Sequence, residues 1–190
     1  MIFDTHAHYD DDAFNEDRDE LLKSLPELGI GKVVDVGASI ASSHMAQALA
    51  QKYEHVYCAL GVHPEEIAGL MGADSEENCR WLREQLINEP KCVALGEIGL
   101  DYYWDTTTPE DQKKWFEWQL ELAREVNKPV IIHSREAAKD TADIMRDHKA
   151  GEIGGVVHCY SYSREMAREF LDMDFYFGIG GVLTYKNARK

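Results

Sequence analysis

Four histidines and a glutamate stand where short apolar runs give way to polar sequence, and side chains of these types can hold divalent cations. His6 and His8 close the run Ile2-Phe3-Asp4-Thr5-His6-Ala7-His8. In an extended segment, residues two apart point the same way, so both imidazoles can reach one ion. Taken alone, this motif is equally a capped strand end with two unconnected histidines, and Asp4 and Thr5 do not decide between the readings. Glu97 follows Cys92-Val-Ala-Leu95, with Gly96 and Gly99 leaving room around it, and a carboxylate has two oxygens with which to bridge two cations. A surface glutamate at a strand end is the alternative. Asp101 reads as a loop residue, with a carboxylate supporting a metal ligand as the other possibility.

His133 ends Pro129-Val-Ile-Ile, and His158 ends Gly155-Val-Val. Either one could be a core histidine tied to a backbone carbonyl. Recurrence of His or Glu at so many strand ends favours one shared metal centre of His6, His8, Glu97, His133 and His158. His63, in Gly61-Val-His-Pro-Glu65, is placed to contact substrate, and Arg135 offers a two-pronged donor for phosphate or carboxylate. A loop hydrogen bond or surface salt bridge stays open for both.

The elements that must position these groups alternate along the chain. Apolar, β-branched runs at 2–6, 32–36, 56–62, 92–97, 129–133, 155–158 and 175–179 have the character of parallel strands buried on both faces. Amphipathic segments separate them. The clearest helix opens at Thr108-Pro109-Glu110-Asp111 with a capping Thr, a proline in the first turn, and Trp115, Trp118 and Leu122 at helical spacing. Others are expected over 19–28, with Leu28 inward, and over 74–87, opened by Asp74 and Glu77 in capping-box spacing. Weaker patterns cover 42–52, 136–148 and 163–171. Repeating βα units suit a barrel or a doubly wound sheet. Polar residues gathered at strand C-termini favour the TIM (β/α)8-type barrel, where those ends converge on one mouth.

A chain of 190 residues with 44% hydrophobic content is read as one domain, 1–190, with a sizeable core. No stretch approaches the roughly 18 to 20 apolar residues of a membrane helix, and the N-terminus lacks the pattern of a signal peptide. Four scattered cysteines without a CxxC pair fit reduced thiols, so a cytoplasmic location is expected and thiolate zinc binding is not. The net charge of -15 disfavours non-specific binding of nucleic acid, yet cations in a site can reverse the local potential for a nucleic-acid substrate. GxSxG, P-loop and dinucleotide motifs are missing, and a Cys159–His158 dyad is disfavoured because strand neighbours point to opposite faces.

The assembled motifs resemble the TatD-type metal-dependent DNases, amidohydrolase-like TIM barrels. Phe3-Asp4-Thr5-His6-Ala7-His8, Gly61-Val62-His63-Pro64, Gly96-Glu97-Ile98-Gly99-Leu100-Asp101-Tyr102, Ile132-His133-Ser134-Arg135 and His158-Cys159-Tyr160-Ser161 run in the family's order. The resemblance implies two divalent ions (Zn, Mg or Mn), His6 and His8 on one, His133 and His158 on the other, with Glu97 between. It implies phosphodiester hydrolysis, most commonly 3'-to-5' exonuclease action on DNA, with Glu97 and His63 catalytic and His63 and Arg135 positioning phosphate. Tyr102, Tyr103 and Tyr160 are candidates for stacking on a base, with core packing as their other use. Family members continue to an eighth strand ending in Asp, whereas this sequence reaches the basic run 186–190 soon after its seventh strand. A barrel truncated after that strand is therefore expected, with weak or no turnover. An ester or amide hydrolase of the same scaffold, such as an aminoacyl-tRNA deacylase, and a catalytically impaired metal-binding fragment are the alternatives.

Overall fold

The computed structural model describes residues 1–186 and 188, so most of the basic run at 186–190 lies outside the described residues. Seven parallel strands form a single sheet in sequence order: β1 (Ile2–Ala7), β2 (Ile30–Val36), β3 (Val56–Leu60), β4 (Cys92–Asp101), β5 (Val130–Arg135), β6 (Gly155–Val157) and β7 (Phe175–Phe177). Helices connect them: α1 (Arg18–Ser24), α2 (Ile40–Lys52), α3 (Ser75–Asn88), α4 (Pro109–Val126), α5 (Ala138–Asp147) and α6 (Arg164–Leu171). The arrangement is that of a TIM-type barrel left open between β1 and β7.

Alternation along the strands separates two apolar layers. Val33, Cys58, Leu95, Ile98 and Ile132 join a large cluster with Leu22, Leu49, Leu86 and Phe116 of the helices, whereas Val34, Val36, Ala59, Ala94 and Ile131 form a smaller one. Period-two side-chain direction accounts for the split of Val33 from Val34.

Thr108 caps α4 by accepting the Asp111 N–H at 3.1 Å, Pro109 occupies the first turn, and Asn127 ends the helix in left-handed conformation at φ 52°. Asp74 precedes α3 but its side chain makes no capping hydrogen bond, contrary to the expected capping box. The helix expected over 19–28 stops at Ser24: Pro26 has no N–H to donate, and Leu28 is exposed rather than inward. Strand β4 runs to Asp101, four residues beyond its expected end. Gly99 permits this, because its φ is 142° and a Cβ there would lie 1.9 Å from the His133 carbonyl oxygen. Strand β7 is shorter than expected and leaves Ile179 exposed. Ile2 and Phe3 on the edge strand β1 are also exposed.

Candidate metal centre

All five expected ligands meet: His6 and His8 at the end of β1, Glu97 within β4, His133 within β5 and His158 directly after β6. Glu97 is at their centre, 3% exposed. One carboxylate oxygen, Oε2, is 3.3 Å from His6 Nε2 and 3.6 Å from His8 Nε2. The other, Oε1, is 2.9 Å from His133 Nδ1 and 2.5 Å from His158 Nε2. Each oxygen therefore addresses its own pair of imidazoles. Within the pairs, His6 Nε2 and His8 Nε2 are 3.1 Å apart, and His133 Nδ1 and His158 Nε2 are 3.2 Å apart. Nitrogens bound about 2.0–2.1 Å from one ion would be roughly 3.0–3.4 Å apart, so the spacing fits metal ligation.

Hydrogen bonds at the far sides of the rings orient them. His8 Nδ1 donates to the Val36 carbonyl at 2.8 Å, which turns Nε2 toward Glu97 as the nitrogen an ion would take in place of its proton. His133 Nε2 donates to Asp101 Oδ2 at 2.8 Å, leaving Nδ1 toward Glu97 and His158. Asp101 is thus no loop residue: it ends β4, is 1% exposed, and its Oδ1 accepts the N–H groups of Tyr103 and Trp104. Burial would raise the carboxyls of Glu97 and Asp101, but hydrogen bonds from the imidazoles hold both below their usual range. Burial would depress His133, yet Asp101 and Glu97 raise it to about 9, so a cation binding at Nδ1 would displace a proton.

His63 lies three residues past β3 and heads a 3-10 turn, with Nε2 3.9 Å from Glu97 Oε1 and Nδ1 accepting the Glu65 N–H. Burial and the neighbouring His133 push its pKa down to about 4. Burial favours the neutral ring. Sets of possible ligands are His6, His8 and Glu97; His63, Glu97 and His133; and His63, Glu65 and Asp101. His8, His63, Glu65, Glu97, His133 and His158 open onto a cleft of about 580 Å³ that Asp10, Asp11 and Glu66 also line. Arg135 is exposed at the end of β5, its guanidinium 3.7 Å from the Tyr103 ring centre.

Two buried glutamines on α4 fix the strand ends beneath this cleft. Gln112 accepts the Asp101 N–H at 2.9 Å and donates to the Asp101 carbonyl at 2.8 Å. Gln119 does the same for Val62, at 2.8 and 3.0 Å, one residue before His63. Sequence reasoning missed both, although polar residues at the inward spacing of an amphipathic helix were a usable signal. It also missed Asp35, fully buried on β2, whose Oδ1 accepts the Tyr9 N–H at 2.6 Å while Oδ2 has no hydrogen-bond partner among the described residues.

A family profile described as "TatD related DNase" matches residues 3–190. An uncharacterized metal-dependent hydrolase of Bacillus subtilis, YabD, is 38% identical over the whole chain and 72% of its own length. A protein of Escherichia fergusonii named 3'-5' ssDNA/RNA exonuclease TatD is 31% identical over 95% of this chain and 67% of its own. The crystal structure of the TatD homologue YjjV from Escherichia coli superposes with a TM-score of 0.89 at 33% identity, covering 100% of this chain and 71% of that one. No helix among the described residues is long and apolar enough to cross a membrane.

Proposed function

The chain belongs to the TatD-related DNase family of metal-dependent hydrolases, and from that premise we propose that it hydrolyses phosphodiester bonds, releasing nucleotides from the 3' ends of DNA. The observation that carries this reading is the division of Glu97 between two imidazole pairs. Two divalent ions fit the donor set, one at His6 and His8 and one at His133 and His158, with Glu97 between them. Held by these residues, such ions would supply Lewis-acid polarisation of a phosphoryl oxygen, a water of lowered pKa and charge compensation at the leaving oxygen. Borderline nitrogen donors suit Zn or Mn, and Mg is the hard-ion alternative.

The chain's own side chains supply the rest. His63, neutral at physiological pH, faces the cleft with Nε2 and can hydrogen-bond a phosphate oxygen. Arg135 presents guanidinium edges at the end of β5 for a phosphate. Glu97 fixes the separation of the two ion sites and, through its negative charge, their occupancy. The exonuclease name of the Escherichia fergusonii relative supports 3' polarity.

The test is a 5'-labelled single-stranded oligonucleotide incubated with metal-loaded protein, alongside an aminoacyl ester. Shortening from the 3' end, its loss on chelation and its return on adding Mn or Zn are expected. Glu97→Gln should lower kcat by about 10³-fold, since several kcal/mol of transition-state stabilisation depend on the ions it helps hold, and should reduce metal content below two equivalents. Turnover of the ester with DNA untouched would overturn the phosphodiesterase reading. Full metal occupancy without turnover of any phosphodiester would mark a binding role only.

A further inference from the structure

Directly after Asp101, the segment between β4 and α4 displays two half-exposed aromatic rings. Tyr103 and Trp104 are each 49% exposed, and their rings meet edge to face with centres 4.7 Å apart. The Arg135 guanidinium stacks 3.7 Å from the Tyr103 centre and 5.6 Å from that of Trp104. Among the described residues Arg135 forms no salt bridge, so its donors remain free at the end of β5. The other tyrosines considered for stacking are occupied. Tyr102 donates its hydroxyl to Asp140 at 2.8 Å, and Tyr160 packs against Phe177 with ring centres 4.5 Å apart while its hydroxyl donates to the Ser163 carbonyl.

The cluster is tied to the reacting centre through the backbone. Asp101 Oδ1 accepts the N–H groups of Tyr103 and Trp104, and the same carboxylate holds His133 through Oδ2. Arg135 is opposite Asp101 in the β4–β5 register and follows His133 by two residues, about 7 Å of extended chain. The two rings and Arg135 are therefore joined to the centre through Asp101, which also holds His133.

We propose that Tyr103, Trp104 and Arg135 form a stacking subsite for a nucleobase of a single-stranded nucleic acid end, the rings taking the base and Arg135 its phosphate. This inference rests on the phosphodiesterase reading and assigns the residues that hold the base of its substrate. The chain carries a net charge of -15, and the cleft is lined by Asp10, Asp11, Glu65 and Glu66, which repel a polyanion. Stacking supplies affinity that does not depend on charge, and every base has a face to offer. A paired base keeps its faces within the duplex, so the subsite selects unpaired ends and accepts any sequence.

The test uses the full chain in two assays. In chelator, where no cleavage occurs, a short single-stranded oligonucleotide is titrated against tryptophan fluorescence. Quenching that is lost in Trp104→Phe, with binding retained, and binding about ten-fold weaker in Tyr103→Ala/Trp104→Ala are expected. With metal, the ratio of kcat/KM for the oligonucleotide to that for a small diester without a base should fall about ten-fold in the double variant. Its melting temperature reports whether it is folded. Equal affinity and an equal ratio in a folded double variant would overturn the subsite even if wild-type protein degrades DNA. Trp104-dependent quenching without hydrolysis of any phosphodiester would support the subsite and overturn the proposed activity. Equal affinity for single-stranded and blunt double-stranded ends would also overturn it.

Discussion

Glu97 and Asp101 on β4 differ from Asp10 and Asp35, which flank His8 on the β1–β2 side, in their partners more than in their burial. Glu97 faces four imidazoles, and Asp101 accepts from His133 and two backbone N–H groups. Both carboxyls are held below their usual pKa. Asp35 accepts one backbone N–H through Oδ1, while its Oδ2 and the Oδ1 of Asp10 are buried with no hydrogen-bond partner among the described residues. Burial, with the neighbouring Asp10 charge, raises Asp35 to about 7, and burial raises Asp10 as well. A buried carboxylate favours the fold when donors surround it and opposes it when they do not. The β4 side is thus a finished electrostatic network, and the β1–β2 side an unfinished one.

Removing charge from the finished side should cost the most. Asp101→Asn keeps the shape but removes the charge that orients and supports His133. Supporting carboxylates of this kind are commonly worth about 10–100-fold in metal affinity or activity, and a loss in that range is expected for the ion at His133 and His158. Titration of metal-free protein with Zn or Mn, monitored by calorimetry, reads it. An unchanged affinity would mean that His133 is oriented without Asp101.

Next in size is the clamp beneath that network. Gln112→Leu leaves the Asp101 N–H and carbonyl without the Gln112 side chain, and a buried group left unsatisfied costs about 1–3 kcal/mol. Urea unfolding should show that loss, together with a metal affinity reduced by less than in Asp101→Asn. Gln119→Leu should cost similar stability but alter KM through His63 rather than metal binding. If both substitutions weakened metal binding equally, α4 would be a general support and not two separate clamps.

The convergence of His6, His8, His133 and His158 on Glu97 was legible because a polar side chain of a metal-binding type ending a run of β-branched residues has few other reasons to be there. Parallel strands legible from the same runs direct their ends to one mouth. Asp101 was hidden by its context: Gly96 and Gly99 suggest a strand that is over, whereas Gly99 lets β4 continue against the His133 carbonyl. Leu28 fitted the helical period, but Pro26 removed the backbone donor that the period needs. Trp104 gave no periodic signal at all, since a ring on a loop is placed by the turn that Asp101 nucleates. Asp35 was readable in principle, as an acid inside the apolar run Val33-Val34-Asp35-Val36.

The smallest expected effect lies on the unfinished side and has the opposite sign. Asp35 has a folded pKa of about 7, above its ordinary value of 3.8. Its favourable contribution is therefore fully present below about pH 4 and is lost as pH rises through 7, because the unfolded chain ionises there at no cost. For Glu97 and Asp101 the sense is reversed: their contribution is present above their ordinary pKa and lost on acidification. Asp35→Asn keeps an oxygen for the Tyr9 N–H and removes the ionisation. It should stabilise the metal-free protein by about 1 kcal/mol at pH 8 and by much less at pH 4.5, a figure kept well under the full shift because buried acids relax toward water. Thermal melts of wild type and variant at the two pH values measure the difference. A gain of equal size at both would mean that Asp35 is neutral for another reason, and one that vanished at pH 8 would place a compensating positive charge beside its second oxygen.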